Sequence, residues 1–164
     1  MLLADGEDLH KTILTAPIGI CVLDAGTLVA ELVNDKFLEV AGKRHDEIFG
    51  KFYWDAFAEV RSYFEAALAG VVATGEPYYA DEVEMVLIRH GREEHIFVTF
   101  VYTPVKDQTG KVIKVSVWVL ENTKQVAERK KQADAKQCCS VNEIGLKTFF
   151  YRPQQVYAYY RAPT

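Results

Sequence analysis

The side chains able to do chemistry in this chain of 164 residues are few and scattered: four histidines, three cysteines, and carboxylates that come in runs. A zinc site needs three or four His, Cys or carboxylate ligands converging at about 2 Å. His90 and His95 are the nearest thing to a pair, but His90 falls in a turn between two strand-like runs. His95 then lies on the outer face opposite Val86, with no third ligand nearby, so no metal is expected. Cys21 stands alone in an apolar run and the adjacent Cys138 and Cys139 have no second pair, so all three are expected as thiols. His45-Asp46-Glu47 places a histidine before an acidic residue, as a phosphoacceptor helix does. It lacks the Arg-Thr-Pro that follows in such helices and reads as solvated loop. Asp55 and Glu59, four apart in a helical stretch, could mimic an acid and base pair. No nucleophile, phosphate-cradling loop or metal-ligand set accompanies them, so no catalytic residue is assigned and no enzyme is expected.

The composition bounds what must position any site. About half of the residues are apolar (49%) and 26% are charged, as in one ordinary soluble domain that buries a core without disulfide or metal staples. The apolar runs at Ile18 to Leu23 and Val112 to Leu120 fall short of the ~20 residues a membrane span needs. Leu2 and Leu3 are followed by Asp5, Glu7 and Asp8, unlike a secretory leader, so a cytoplasmic protein without membrane contact is expected. Residues 1–125 hold 12 Lys and Arg against 20 Asp and Glu, whereas residues 126–164 hold seven against three. The acidic body argues against nucleic acid, whose binding starts from clustered cations.

Leu9 and Ile13, four apart beside Leu14, predict a short amphipathic helix that Pro17 ends. Ile18 to Leu23 and Thr27 to Val33 read as two strands joined at Asp24-Ala25-Gly26. Asn34 is a good N-cap for a helix through Val40, with Phe37 and Val40 facing inward and Gly42 closing it. Lys43 to Lys51 reads as irregular. From Asp55 to Ala73, Phe57, Val60, Phe64, Leu68 and Val71 recur at spacings of three and four, the stripe of a helix lying on a core. Three strands follow, at Asp81 to Arg89, Glu94 to Lys106 and Lys111 to Leu120, joined at His90-Gly91 and Asp107 to Gly110. If Arg89 opposes Arg92 and Lys106 opposes Lys111, one face carries Val83, Met85, Val98, Phe100, Tyr102, Ile113, Val115, Val117 and Val119, and is taken as the inside. The other face carries Glu82, Glu84, Val86, His95, Phe97, Thr99, Val101, Lys114, Ser116, Trp118 and Leu120. On that register Thr99 opposes Trp118 and Phe97 opposes Leu120. After Glu121 the chain turns to helix formers and charge, an exiting helix.

This order gives an α+β fold, a five-stranded antiparallel sheet with helices on one face, preceded by a short helix and followed by an exit helix. The run resembles the PAS domain family of sensory modules in bacterial signalling proteins. The resemblance rests on Ala16-Pro17-Ile18-Gly19-Ile20, then Asn34, Phe37, Gly42, Glu47 and Gly50. It continues with Thr74-Gly75-Glu76-Pro77 and with Tyr102-Thr103-Pro104-Val105 leading to Asp107 and Gly110. Glu121-Asn122-Thr123 stands where the family usually has Asp, an aliphatic residue and Thr. The expected organisation is a cap helix at 1–15, a sensory domain at 16–122, an exit helix at 123–134, and at 135–164 a tail of foreign or truncated character.

The resemblance implies a sensory or dimerising input module, most often of a sensor histidine kinase, that signals through the helix after its last strand to an output domain of the same full-length protein. The alternative is a ligand-free interaction domain that only pairs chains. Haem-binding relatives carry a His on the long helix, and flavin photosensors a Cys within Asn-Cys-Arg on the short helices. Neither residue is present at those places, so neither cofactor is expected. An unknown small ligand between sheet and helices is expected to touch Phe57, Val60, Met85, Val98, Phe100, Tyr102, Val115 and Val117. A homodimer is expected through Leu9 and Ile13 of the first helix and through Phe97, Val101, Trp118 and Leu120 of the outer face.

Overall fold

Residues 6–140 are described by the structure, a computed structural model. The chain runs α1 (Gly6–Leu14), β1 (Gly19–Asp24), β2 (Ala30–Val33), α2 (Asp35–Ala41), α3 (His45–Ile48) and α4 (Tyr53–Ala56). A 3-10 turn (Ala58–Val60), α5 (Arg61–Thr74), β3 (Tyr78–Arg89), β4 (Arg92–Lys106), β5 (Val112–Glu121) and α6 (Thr123–Ser140) follow. The strands form one antiparallel sheet in the order β2-β1-β5-β4-β3. Helices α2 to α5 pack on its inner face, with the core between. The chain divides into two units at Glu128: the first is this folded body, and the described part of the second, Arg129–Ser140, is the continuation of α6. The helix thus runs beyond the expected boundary at 134. The remainder of the tail, residues 141–164, and residues 1–5 of the cap helix lie outside the described residues.

Asn34 ties the first half together. Fully buried, its Oδ1 accepts from the backbone N–H of Ile20 and of Phe37, both at 2.9 Å, and its Nδ2 donates to the carbonyls of Ile13 at 3.1 Å and Ile18 at 2.9 Å. One amide side chain thereby caps α2 and holds the end of α1 and the start of β1 against it. Gly42 closes α2 at φ 60°, and a Cβ there would lie 2.5 Å from that of Arg89, so both backbone and space require glycine.

The long helix differs from expectation at its start. Tyr53, Trp54, Ala56 and Phe57 are all buried. The chain breaks at Phe57 (φ −127°, ψ 41°) and α5 begins only at Arg61. Phe57 and Val60 stand before the helix, and Asp55 and Glu59 fall on different elements. Glu59 serves the sheet instead: its carboxylate accepts from the N–H of Ile88 on the edge strand at 3.0 Å and from Lys43 at 3.4 Å. Within the segment expected to be irregular, His45 to Ile48 forms a helical turn whose exposed His45 stacks on Phe49. The strand expected from Thr27 begins only at Ala30, because Asp24 accepts from the N–H groups of Gly26 and Thr27 and holds those residues in a turn.

The β3-β4 hairpin pairs Arg89 with Arg92 and Val86 with His95, as expected. The β4-β5 register is two residues away from the expected one. Asp107 Oδ1 accepts from Thr109 and Lys111, and Gly110 takes φ 86°, giving a three-residue loop in which Lys106 faces Val112. A bulge at Ile113 then shifts the pairing once more, so that Val105 faces Lys114. Two single-residue offsets restore the face assignment for Val115, Val117 and Val119. Ile113 is lost from the inside, 39% exposed. Tyr102 faces Val117, Val101 faces Trp118 and Thr99 faces Leu120, in place of the pairs expected for Thr99 and Phe97.

Candidate functional site

Between α2, the α4 to α5 segment and the inner sheet face lies a partly open, apolar cavity of about 50 Å³. Phe37, Val40 and Ala41 from α2 line it, with Tyr53, Phe57, Val60 and Phe64 from the next segment. The sheet supplies Met85 and Leu87 from β3, Val98, Phe100 and Tyr102 from β4, and Val117 and Val119 from β5. Aromatic edges fix the walls: Phe37 against Phe57 and Phe64 against Phe100 both meet at 90°, with centroids 6.0 and 5.0 Å apart. Sites for drug-sized ligands occupy roughly 300–1,000 Å³. The volume as it stands holds a molecule of a few heavy atoms.

The polar groups on the lining are the phenols of Tyr53 and Tyr102. The two phenols interact with one another. Burial pushes both far above the ordinary phenol range, so both stay protonated. Burial likewise pushes the Cys21 thiol up to about 12, so Cys21 is an inert core residue.

Seven of the eight expected ligand residues line the cavity: Phe57, Val60, Met85, Val98, Phe100, Tyr102 and Val117. Val115 is buried outside it, because the two-residue register shift sets it opposite Pro104, beyond Tyr102. Phe37, Val40 and Phe64, read only as inward-facing, are lining residues too. Tyr53 was missed; its one sequence signal is the aromatic run Phe52-Tyr53-Trp54. Among the described residues no three His, Cys, Asp or Glu side chains gather as a metal site requires.

The outer sheet face is the second surface of interest. Trp118 is 38% and Leu120 47% exposed, while Phe97 and Val101 are half-buried. Helix α1 buries none of its residues, and Leu9 is 59% exposed with Ile13 half-buried. The helix therefore leaves Trp118 and Leu120 open to solvent.

Cavity and exit helix meet at Arg89. Its guanidinium donates to the Glu39 carbonyl near the end of α2 at 3.1 Å and pairs with Glu121 at 3.3 Å and Glu94 at 3.2 Å. The Thr123 hydroxyl donates to Glu121 and accepts from the Phe97 N–H, and the Asn122 N–H donates to the Phe97 carbonyl at 2.7 Å. The root of α6 is thus bound both to a wall of the cavity and to the sheet. Among the described residues no helix is long and apolar enough to cross a membrane.

A family model described as PAS fold matches residues 15–127. Among solved structures the chain is similar to the PAS domain from Bordetella pertussis BvgS, at 25% identity and TM-score 0.56, over 80% of this chain and 96% of that one. It is similar to an RNA-binding light-oxygen-voltage receptor at 19% identity and TM-score 0.62, covering 85% of this chain but spanning only 41% of that one. The sensory box sensor histidine kinase from Vibrio cholerae matches at 15% identity and TM-score 0.51, over 69% of this chain and 87% of that one. A search of curated proteins finds no match.

Proposed function

The chain belongs to the PAS fold family, and from that membership we propose that it is the sensory and dimerising input module of a cytoplasmic signalling protein, a sensor histidine kinase. The observation that carries the reading is the apolar cavity joined through Arg89 to the root of α6. Similarity to the Vibrio cholerae kinase structure supports the fold of this assignment, and the role comes from the site. Catalysis belongs to an output domain beyond this segment.

The ligand is a small, mostly apolar molecule bearing one hydrogen-bond acceptor. Both phenols are protonated and one hydrogen bond between them uses a single O–H, which leaves the other proton for an acceptor in the cavity. The reading includes neither haem nor flavin, because α5 carries no His and the short helices carry no Cys. Binding moves α2 or the inner strands, and the Arg89 contacts carry that movement to α6; couplings of this kind are typically ~1 to 3 kcal/mol. A dimer through α1 and the outer face lets two exit helices respond together. The smallness of the cavity favours one other reading, a ligand-free domain that only pairs chains.

Tyr102→Phe separates the two. Wild-type and variant protein are incubated with the same small-molecule extract, and occupancy is compared by native mass spectrometry. Loss of one hydrogen bond, about 1 kcal/mol, lowers occupancy at limiting ligand about fivefold. Equal occupancy removes Tyr102 from the site, and no occupancy in either supports the ligand-free reading.

A further inference from the structure

Strand β3 is interrupted next to the root of α6. Ala80 pairs with Phe100 and Val83 with Val98, so Asp81 and Glu82 together face the single residue Thr99. Glu82 takes φ 47°, a conformation that residues with a side chain rarely adopt and that persists only where its surroundings enforce it. The Thr99 hydroxyl enforces it here. It accepts from the Glu82 N–H at 3.1 Å and donates to Asp81 Oδ1 at 2.9 Å.

The second lone pair of that hydroxyl accepts from Asn122 Nδ2 at 3.1 Å. Thr99 has only one proton to give and gives it to Asp81, so the Asn122 amide is fixed with its NH₂ toward Thr99. Its Oδ1 is left buried without a partner. The orientation of the amide is therefore set by its NH₂ half, which Thr99 holds. Asn122 is also the residue whose carbonyl accepts from the Val126 N–H in the first turn of α6, at 3.0 Å. An aliphatic side chain at this position keeps the backbone bond to Val126 and loses the contact to Thr99.

We propose that Asn122 and Thr99 form a polar relay that locks the β3 bulge to the first turn of α6, so that the two open and close as one unit. Asn122 is a positioning residue in this device. The strand concerned also carries Met85 and Leu87 of the cavity, so the relay is a second connection between cavity wall and exit helix, independent of Arg89. Its meaning for signalling rests on the function proposed above. The coupling itself is measured without ligand or output domain, so its failure and the failure of that reading are separate results.

The test is amide hydrogen exchange on the full chain, with the Glu82 and Val126 N–H groups normalised to Val117 at the sheet centre so that global stability cancels. Thr99→Val keeps shape and removes the hydroxyl; Thr99→Ser keeps the hydroxyl; Asn122→Leu leaves the bulge itself untouched. Thr99→Val is expected to speed exchange about fivefold or more at Val126 as well as at Glu82, and Asn122→Leu to do the same at Glu82. The double variant should match the larger single effect, because both remove one shared relay, and Thr99→Ser should behave as wild type. An effect of Thr99→Val at Glu82 alone, or of Asn122→Leu at Val126 alone, overturns the proposal, as does additivity in the double variant. If Asn122→Leu does not fold, the Thr99→Val and Thr99→Ser pair read at Val126 decides alone.

Discussion

Asn34→Ala is expected to lower the unfolding free energy by roughly 3 kcal/mol or more, since each buried polar group left without a partner costs about 1–3 kcal/mol. The N–H groups of Ile20 and Phe37 lose their acceptor, the Ile18 carbonyl loses this donor, and the Ile13 carbonyl keeps only the Ala16 N–H at 3.3 Å. Domains are stable by only about 5–15 kcal/mol, so the variant stands near the threshold of folding. Urea unfolding followed by circular dichroism reads the difference. Asn34→Asp keeps an acceptor for both N–H groups but sets a carboxylate against two carbonyls, so it should also be destabilised. A loss below about 1 kcal/mol in Asn34→Ala contradicts the role given to this residue, because one hydrogen bond alone accounts for that much.

Trp118→Ala is expected to weaken the proposed homodimer by about 2 kcal/mol or more, some thirtyfold in dissociation constant, the scale of a buried aromatic anchor at an interface. Trp118 lies opposite Val101, has Leu120 on the same face of its own strand, and is 38% exposed in the single chain. Sedimentation velocity of both proteins across micromolar concentrations reads it. A monomeric parent, or a variant dimer of undiminished affinity, places the pairing surface elsewhere. Because Trp118 is outside the cavity lining, the substitution should leave ligand occupancy unchanged.

What could be read from the sequence depended on how locally each feature is determined. The β3-β4 register was legible because His90-Gly91 permits a two-residue turn, which fixes the pairing on both sides. The β4-β5 register was not. Asp107 organises a three-residue loop, and the compensating bulge at Ile113 depends on where β1 lies, since the Ile113 carbonyl accepts from the Ala25 N–H. Because the two offsets cancel, parity along β4 and β5 still gives the inner face and with it most cavity residues on the sheet. Val115 was assigned to the cavity because parity fixes a face and leaves position along it open. The start of α5 was misread for a different reason: the three- and four-residue spacing of Phe57, Val60 and Phe64 continues through the 3-10 turn, so periodicity does not reveal the break. Tyr53 matters through the phenol of Tyr102, a contact between distant segments. Asn122 was visible only as a departure from a family pattern; its purpose became legible when the fold brought Thr99 and the β3 bulge beside it.

The central claim is that a small molecule in the cavity is sensed by a paired chain, and native mass spectrometry of the full chain tests both halves at once. Wild-type protein should appear as a dimer retaining one non-covalent small molecule per chain. Val117→Phe, which fills a cavity of about 50 Å³, should appear as a dimer of bare chains. A bare wild-type chain, or the same adduct on the filled variant, contradicts the account.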